Sequence, residues 1–160
     1  SIYEESGLQG TPAYAGLLRN LGGCFTSQGR QYEATQFYSQ AKLAYEVAGV
    51  TASPKYSLEY AALCHNIGES CNQDGRTSEA CELYATARVA YETSGATSTD
   101  EYAGLLQKMG VGFAVQGHHA KAMELYRETK AAYEVLGMTS TQHYAALLHN
   151  MAMERSSQGQ

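Results

Sequence analysis

No stretch of the 160-residue sequence approaches the roughly 20 apolar residues that a membrane-spanning helix requires. Residues 1–10 also lack the basic and apolar regions of a signal peptide. Acidic and basic residues are interspersed rather than grouped, and the formal net charge of −5 offers no basic surface to a nucleic acid or an anionic membrane. We therefore expect a cytoplasmic protein that binds neither nucleic acid nor membrane.

Paired cysteines are missing as well. The sequence has no Cys-x-x-Cys pair, which argues against a zinc or redox motif at Cys24, Cys64, Cys71 and Cys81. Cys64 and Cys71 are seven residues apart and fall on one face of a helix. Because a free cysteine behaves as a small apolar side chain, we expect all four to be core thiols.

Sequence signatures of catalysis are absent too. The recurrent glycines end or pack helices and form no phosphate-binding loop, and there is no nucleophile elbow or distinctive carboxylate pair. His118 and His119 have no histidine four residues away on a helix, so we expect exposed loop residues there rather than metal ligands. We expect no enzymatic activity, metal, cofactor or small-molecule substrate.

A tyrosine-led segment that occurs four times dominates the sequence. Its copies are YAGLLRNLGGCFTSQG from Tyr14, YAALCHNIGESCNQDG from Tyr60, YAGLLQKMGVGFAVQG from Tyr102 and YAALLHNMAMERSSQG from Tyr144. The spacings between successive tyrosines are 46, 42 and 42 residues. Self-similarity at this period predicts a stacked-repeat architecture in which each unit touches only its neighbours.

We expect residues 1–160 to form one array segment cut from a longer array. A Tyr-Glu-x-x-Gly motif at Tyr3 recurs at Tyr45, Tyr91 and Tyr133, so residues 1–10 are expected to end a preceding repeat. The predicted divisions are repeat 1 at 11–52, repeat 2 at 53–98, repeat 3 at 99–140, and the first helix of repeat 4 at 141–160.

Each repeat is predicted to contain two helices. A hydroxyl residue suited to an N-cap stands three residues before each tyrosine, at Thr11, Ser57, Thr99 and Thr141. A glycine suited to a left-handed turn follows fifteen residues after each tyrosine, at Gly29, Gly75, Gly117 and Gly159. The Ser53-Pro54 pair predicts that the second repeat starts one turn early. The predicted first helices are 12–28, 54–74, 99–116 and 141–157, and the second helices are 31–48, 77–94 and 119–136, after an N-terminal stub.

Apolar side chains predict how the helices pack. Positions 0, 3, 4, 7, 8 and 11 after each tyrosine fall on one face, which in repeat 1 holds Leu17, Leu18, Leu21, Gly22 and Phe25. Gly22, Gly68 and Gly110, with Ala152 in repeat 4, predict a close approach to alanines of the second helix. The tyrosines of the second helices are expected to be core. Leu147, Leu148 and Met151 lack a following second helix and are expected to be exposed, which favours end-to-end association between copies.

The pattern as a whole resembles the tetratricopeptide repeat. It has a small residue eight positions after the tyrosine, Gln-Gly or Asp-Gly closing the first helix, an alanine five positions later and a tyrosine four after that. The 42-residue form ending in Tyr-Glu-x-x-Gly and then Thr is similar to the repeats of kinesin light chains. The resemblance implies an all-α fold, an α-α superhelix or solenoid of antiparallel helix pairs, and a cytoplasmic scaffold with a cytoskeletal association. Arg155 departs from the pattern, since Phe25, Cys71 and Phe113 hold its position.

In such a solenoid the first helices line a concave groove, and the surface they show there lies opposite the packed face. The predicted peptide-binding residues are Arg19, Asn20, His65, Asn66, Glu69, Asn72, Gln107, Lys108, Val111, His149, Asn150 and Met153. Asn20, Asn66 and Asn150 hold one equivalent position, six residues after the tyrosine, and are expected to align in a row that holds the backbone of an extended peptide. Arg19, His65 and Lys108 are expected to favour an acidic one.

Two other interpretations of these residues stay open at this point. The asparagines could be ordinary solvated positions, and Val111 and Met153 could pack on a neighbour instead of seating an apolar side chain of the ligand. The alternative function is an architectural, self-assembling segment of a larger cytoskeletal, motor-adaptor or ciliary protein with no groove ligand.

Overall fold

The computed structural model describes residues 10–157, and the regular structure of this part is helical throughout. The first helices of the repeats are α1 (Pro12–Ser27), α3 (Pro54–Gln73), α5 (Asp100–Val115) and α7 (Gln142–Ser157). The second helices are α2 (Gln31–Val47), α4 (Thr77–Ser94) and α6 (His119–Val135). Every one of these bounds lies within one residue of its prediction. Residues 1–9 of the predicted stub and the closing glycine Gly159 lie outside the described residues.

The chain divides between Gly95 and Ala96 into two compact units, here named unit N and unit C. In unit N, α1 packs antiparallel to α2, α2 packs on α3, and α3 packs antiparallel to α4. In unit C, α5 packs antiparallel to α6, α6 packs on α7, and α5 also contacts α7. The predicted all-α fold of antiparallel helix pairs is confirmed, whereas the repeat boundaries within one array stay a prediction.

Local capping explains why the helices start and stop where they do. The hydroxyl oxygens of Thr11, Thr99 and Thr141 accept hydrogen bonds from backbone N–H groups three residues later, at 3.3, 3.2 and 3.3 Å. Gly29 closes the connection after α1 with a φ of 74°, as predicted for a left-handed turn. The cap at Ser57 was a wrong prediction, because α3 starts one turn earlier at Pro54, as the Ser53-Pro54 pair predicted. Ser57 is buried inside α3 and donates to the carbonyl of Ser53 at 3.0 Å.

Glycines in the first helices allow a tyrosine ring of the second helix to lie directly on the backbone. A Cβ atom built on Gly22 would lie 2.5 Å from Cε1 of Tyr38, and one built on Gly110 would lie 2.5 Å from Cε1 of Tyr126. Gly68 meets Tyr84 in the same way at 2.7 Å. The predicted close approach is therefore real, but aromatic rings fill the space at these glycines. The nearby alanines Ala34, Ala80 and Ala122 are buried, as expected.

The single apolar face predicted for the first helices is in fact two stripes. Leu18 and Gly22, four and eight residues after the tyrosine, are buried, but Leu17 and Leu21 are 41% and 37% exposed. On α7 of unit C, the positions three and seven residues after the tyrosine are buried, since Leu147 and Met151 join the core formed by α5 and α6. The predicted exposure of Leu147 and Met151 is therefore wrong, whereas Leu148 is 43% exposed.

The two stripes have different partners, which explains this correction. Positions four and eight after the tyrosine face the second helix of the same repeat, as Gly110 does with Tyr126. Positions three and seven of α7 face the preceding repeat, so Leu147 and Met151 need no helix after α7 in order to be buried. Leu148 and Ala152 lie four and eight residues after the tyrosine, and both are exposed.

The cysteine prediction holds for two of the four residues. Cys64 and Cys71 are buried in α3, and burial raises the pKa of the Cys64 thiol to about 11. Cys24 is exposed and Cys81 is half-buried, so these two are not core thiols. None of these four cysteines forms a disulfide. Across residues 10–157, none of the helices combines the length and the apolar character needed to cross a lipid bilayer.

Two substitutions in α5 test the packing of tyrosine on glycine. Gly110→Ala should lower the free energy of unfolding by about 1–3 kcal/mol, since its Cβ would overlap the ring of Tyr126. Gly104→Ala is the matched control, because a Cβ there meets nothing within 4 Å. It should raise stability by up to about 1 kcal/mol through helix propensity. Urea unfolding of both variants measures the difference, and equal effects at the two positions would contradict this packing.

Candidate functional site

In unit N the predicted binding residues lie on α1 and α3. Asn20, Asn66 and Asn72 are exposed, whereas Arg19, His65 and Glu69 are half-buried. Asn20 and Asn66 each stand six residues after the tyrosine of their repeat, so the two exposed amides hold equivalent positions on helices of consecutive repeats. The six residues form what is here named the N groove face.

A carboxylate that sequence reasoning missed lies beside this face. Nη1 of Arg19 on α1 is 4.0 Å from Oε1 of Glu59 on α3, and both side chains are about one-third exposed. The ion pair joins the first helices of two repeats and offsets the charge of Arg19. Glu59 comes directly before Tyr60, and only the packing of α1 near α3 reveals that it reaches Arg19.

Aromatic packing positions the histidine of the N groove face. The ring of His65 meets the ring of Tyr84 edge to face, with centroids 5.8 Å apart and planes at 83°. Tyr84 is 2% exposed, and its hydroxyl has no hydrogen-bond partner among the described residues. Burial raises the pKa of Tyr84, and the nearby Glu69 raises it further. In repeat 1 the corresponding hydroxyl, on Tyr38, lies 3.0 Å from Oγ1 of Thr26.

In unit C the remaining predicted residues lie on α5 and α7, two helices that contact each other. Val111, Met153 and His149 are exposed, with 36% and 59% exposure at Val111 and Met153, and Gln107, Lys108 and Asn150 are half-buried. These six residues are here named the C groove face. The alignment of Asn20, Asn66 and Asn150 in one row stays a prediction.

The amide of Gln107 is held in place from the second helix of its repeat. The hydroxyl of Tyr133 donates a hydrogen bond to Oε1 of Gln107 at 3.2 Å. Since Tyr133 is 2% exposed, this contact fixes the oxygen end of the amide, and the NH₂ group takes no part in it. Sequence reasoning predicted Gln107 but not the tyrosine that orients it.

The two adjacent histidines differ from their prediction. His118 is an exposed residue at the start of α6, as expected, and its ring lies edge to face with Phe113. His119, however, is the first residue of α6, and its Nδ1 lies 2.7 Å from Oε2 of the buried Glu154 on α7. His119 therefore links two helices of unit C. In residues 10–157, no cluster of three or more histidine, cysteine or carboxylate side chains is arranged to hold a metal ion.

A lysine, a glutamate and a tyrosine form a recurring clasp between repeats. Lys42 and Tyr60 both donate to Oε1 of Glu46, at 2.7 and 2.6 Å, which ties the end of α2 to α3. Lys130 and Tyr144 contact Glu134 in the same way in unit C. Burial alone would raise the pKa of Glu46, but the bonds from Lys42 and Tyr60 outweigh it and lower the pKa. The repeated tyrosine and the Tyr-Glu motif are thus physically joined.

Removal of one hydroxyl tests this clasp. Tyr60→Phe should cost about 1 kcal/mol of stability at neutral pH, since the bond to the ionised carboxylate of Glu46 is lost. A carboxyl group whose pKa is lowered by folding stabilises the fold at pH values above its ordinary pKa of 4.5. This contribution is lost as the pH falls through the lowered pKa. The difference between wild type and Tyr60→Phe should therefore shrink in acid.

Thermal unfolding across pH measures this effect, with Tyr32→Phe as the control because Tyr32 is 75% exposed. A difference between wild type and Tyr60→Phe that stays constant down to acid pH would show that Glu46 does not contribute as an ionised group.

Comparison with known proteins identifies the fold. No protein-family model matches the sequence, and no curated protein is similar to it. Among solved structures, BtubC (BKLC) from P. vanneervenii superposes with a TM-score of 0.75 at 17% sequence identity, over 93% of this chain. The chain and this structure share one fold.

Two further structures support this fold. Both come from a putative Podosopora anserina kinesin light chain described as having nearly identical TPR-like repeats, and one of them carries a single substitution. The substituted form superposes with a TM-score of 0.71 at 16% identity, over 93% of this chain and 68% of that one. The other gives 0.67 at 16% identity, over 94% and 69%. The chain has the fold of tetratricopeptide-like repeats, which confirms the resemblance inferred from its sequence. It spans 58% of the length of BtubC.

Proposed function

We propose that this chain is a protein-interaction scaffold whose first-helix faces hold an extended peptide segment of a partner. The observation that carries the proposal is the pair of exposed amides at Asn20 and Asn66, at equivalent positions of consecutive repeats. A primary amide both donates and accepts hydrogen bonds, as a peptide backbone does. Regularly spaced amides can therefore pair with an extended backbone without selecting its side chains.

Contacts within the chain already hold the side chains beside these amides, which lowers the entropic cost of binding a ligand. Arg19 is paired with Glu59, and His65 packs on the ring of Tyr84. In unit C, Tyr133 holds Gln107. Groups that are already oriented lose less side-chain freedom when a ligand arrives, so they favour a defined binding mode.

The charge of the ligand is assigned separately for the two units. Glu59, beside the N groove face, pairs with Arg19, and Glu69 adds a carboxylate within the face, so we propose that this face mainly binds neutral backbone. The C groove face contributes two basic residues, Lys108 and His149. We therefore propose that acidic residues of the ligand lie over unit C, where Val111 and Met153 offer exposed apolar surface to an adjacent side chain.

The wider role follows from the fold and is part of the same proposal. Two structures with this fold are described as a putative kinesin light chain, and this description supports a cytoplasmic adaptor with a cytoskeletal association. Both structures are 16% identical to this chain in sequence, so the adaptor role is proposed from the likeness in fold.

Selection of random peptides on the immobilised chain tests the proposal. We expect the enriched peptides to contain aspartate or glutamate and to bind an Asn20→Ala/Asn66→Ala double variant about tenfold to a hundredfold more weakly. Lys108→Glu should weaken binding further, since it adds repulsion to the lost contact, and added salt should weaken wild-type binding.

The matched control for this experiment removes two amides elsewhere. Gln36→Ala/Gln40→Ala changes exposed residues of α2 and should leave the affinity unchanged. Titration calorimetry with one selected peptide gives all the affinities. Unchanged affinity in both the asparagine double variant and Lys108→Glu would remove the groove faces from the proposal and favour the architectural alternative.

A further inference from the structure

A second cleft lies in unit N, away from the residues of the N groove face. It lies between α2, α3 and α4 and has a volume of about 450 Å³, within the range of ligand pockets. Its apolar lining residues, here called its floor, are Leu43, Ile67 and Leu83. Leu43 is 59% exposed although it faces two other apolar side chains, so part of this apolar surface is open to a partner. This cleft is here named the α2–α4 furrow.

The rim of the furrow carries three carboxylates, on Glu46, Glu79 and Glu82. Lys42 forms an ion pair with Glu46 at 2.7 Å, and Arg76 forms one with Glu79 at 2.9 Å. Among the described residues, Glu82 forms no ion pair and is exposed. The rim therefore keeps one carboxylate whose charge no cation of the described chain offsets.

The negative charge of the rim is also persistent. Burial acts to raise the pKa of Glu46, but hydrogen bonds from Lys42 and Tyr60 lower it below the ordinary glutamate range. Tyr60 holds this carboxylate from α3, so the rim is fixed to the helix that also supplies Ile67 to the floor. Glu46, one of the three rim carboxylates, is thus tied to the helix that carries Ile67.

We propose that the α2–α4 furrow binds a basic, amphipathic segment of a partner protein. An aliphatic side chain of that segment packs on Leu43, Ile67 and Leu83, and a neighbouring lysine or arginine forms an ion pair with Glu82. Charge complementarity selects this occupant, since an acidic peptide, a nucleic acid or an anionic lipid surface would be repelled by the rim. The proposal is independent of the peptide site on the groove faces.

A bound metal ion is not a competing occupant. The rim carboxylates belong to no cluster that could coordinate a metal in the described chain. Separate carboxylates suit separate cationic side chains, each of which can form its own charge-assisted hydrogen bond. The apolar floor between them provides the contact that a free cation could not use.

Two of the furrow positions carry different side chains in the other repeats. Lys121 of α6 stands where α4 has Glu79, and Val89 of α4 stands where α2 has Leu43. Glu124 of α6 is the exposed equivalent of Glu82. The repeats therefore supply control variants with the same chemistry at the same helical position, outside the furrow.

The test uses the full chain, isotope-labelled at its methyl groups, and a short synthetic peptide of leucine, lysine and glycine as the probe. We expect saturable binding at millimolar concentrations or below that shifts the methyl signals of Ile67 and Leu83. Glu82→Lys should weaken the affinity at least about tenfold, whereas Glu124→Lys should not change it. Leu43→Ser should weaken binding, and Val89→Ser should not.

Three results would overturn the proposal: no saturable binding, equal binding of a peptide with glutamine in place of lysine, or equal losses in Glu82→Lys and Glu124→Lys. The Asn20→Ala/Asn66→Ala variant separates this proposal from the previous one. It should bind the lysine-leucine peptide like wild type, so a failure of the groove faces leaves the furrow untouched and the reverse also holds.

Discussion

The packing of a tyrosine ring on a helix-interior glycine is the contact on which both units depend. It occurs in each helix pair of the described chain, at Gly22 with Tyr38, Gly68 with Tyr84 and Gly110 with Tyr126. Glycine is a poor residue for the middle of a helix, with a cost of about 1 kcal/mol relative to alanine. Burial of most of a tyrosine ring outweighs that cost, since aromatic side chains contribute large buried areas. The contact fixes the register of each pair, and therefore which residues of the first helix stay exposed.

Contacts between repeats rely on a different principle, which is an ionised carboxylate with two donors. Glu46 and Glu134 each accept from a lysine four residues earlier and from the leading tyrosine of the next repeat. Tyr60 is 6% exposed, so its hydroxyl needs a partner, and the carboxylate supplies one at the helix end. This explains why the sequence repeats both the leading tyrosine and the distant Tyr-Glu motif, although each carboxylate lies 14 or 10 residues before its tyrosine.

Helix bounds could be predicted from sequence to within one residue because local chemistry sets them. Threonine caps, first-turn prolines and closing glycines act over three or four residues. The packed face could not be predicted as well, since periodicity tells which side of a helix is apolar but not which helix covers it. Leu147 and Met151 were assigned to the wrong partner for this reason.

The candidate sites show the same limit. Positions six residues after the tyrosine predicted Asn20 and Asn66, and both are exposed. Glu59 and Tyr133 were missed because each acts through a contact with another helix, on Arg19 and Gln107, that no short motif encodes. The α2–α4 furrow was missed for a related reason. Its floor joins residues from three helices and two repeats, so only the packed structure brings them together.

Helix α3 is the element that connects the two surfaces of unit N. Asn66 and Ile67 are consecutive, yet one is an exposed amide of the N groove face and the other lies in the floor of the furrow. A helix turns by about 100° per residue, so neighbouring side chains serve different surfaces of the same rigid element. Because Ile67 is only 6% exposed, a ligand in the furrow meets a packed floor that cannot move without α3. Any coupling between the two surfaces would therefore require a shift of α3 itself, and the clasp of Glu46 with Tyr60 opposes that shift.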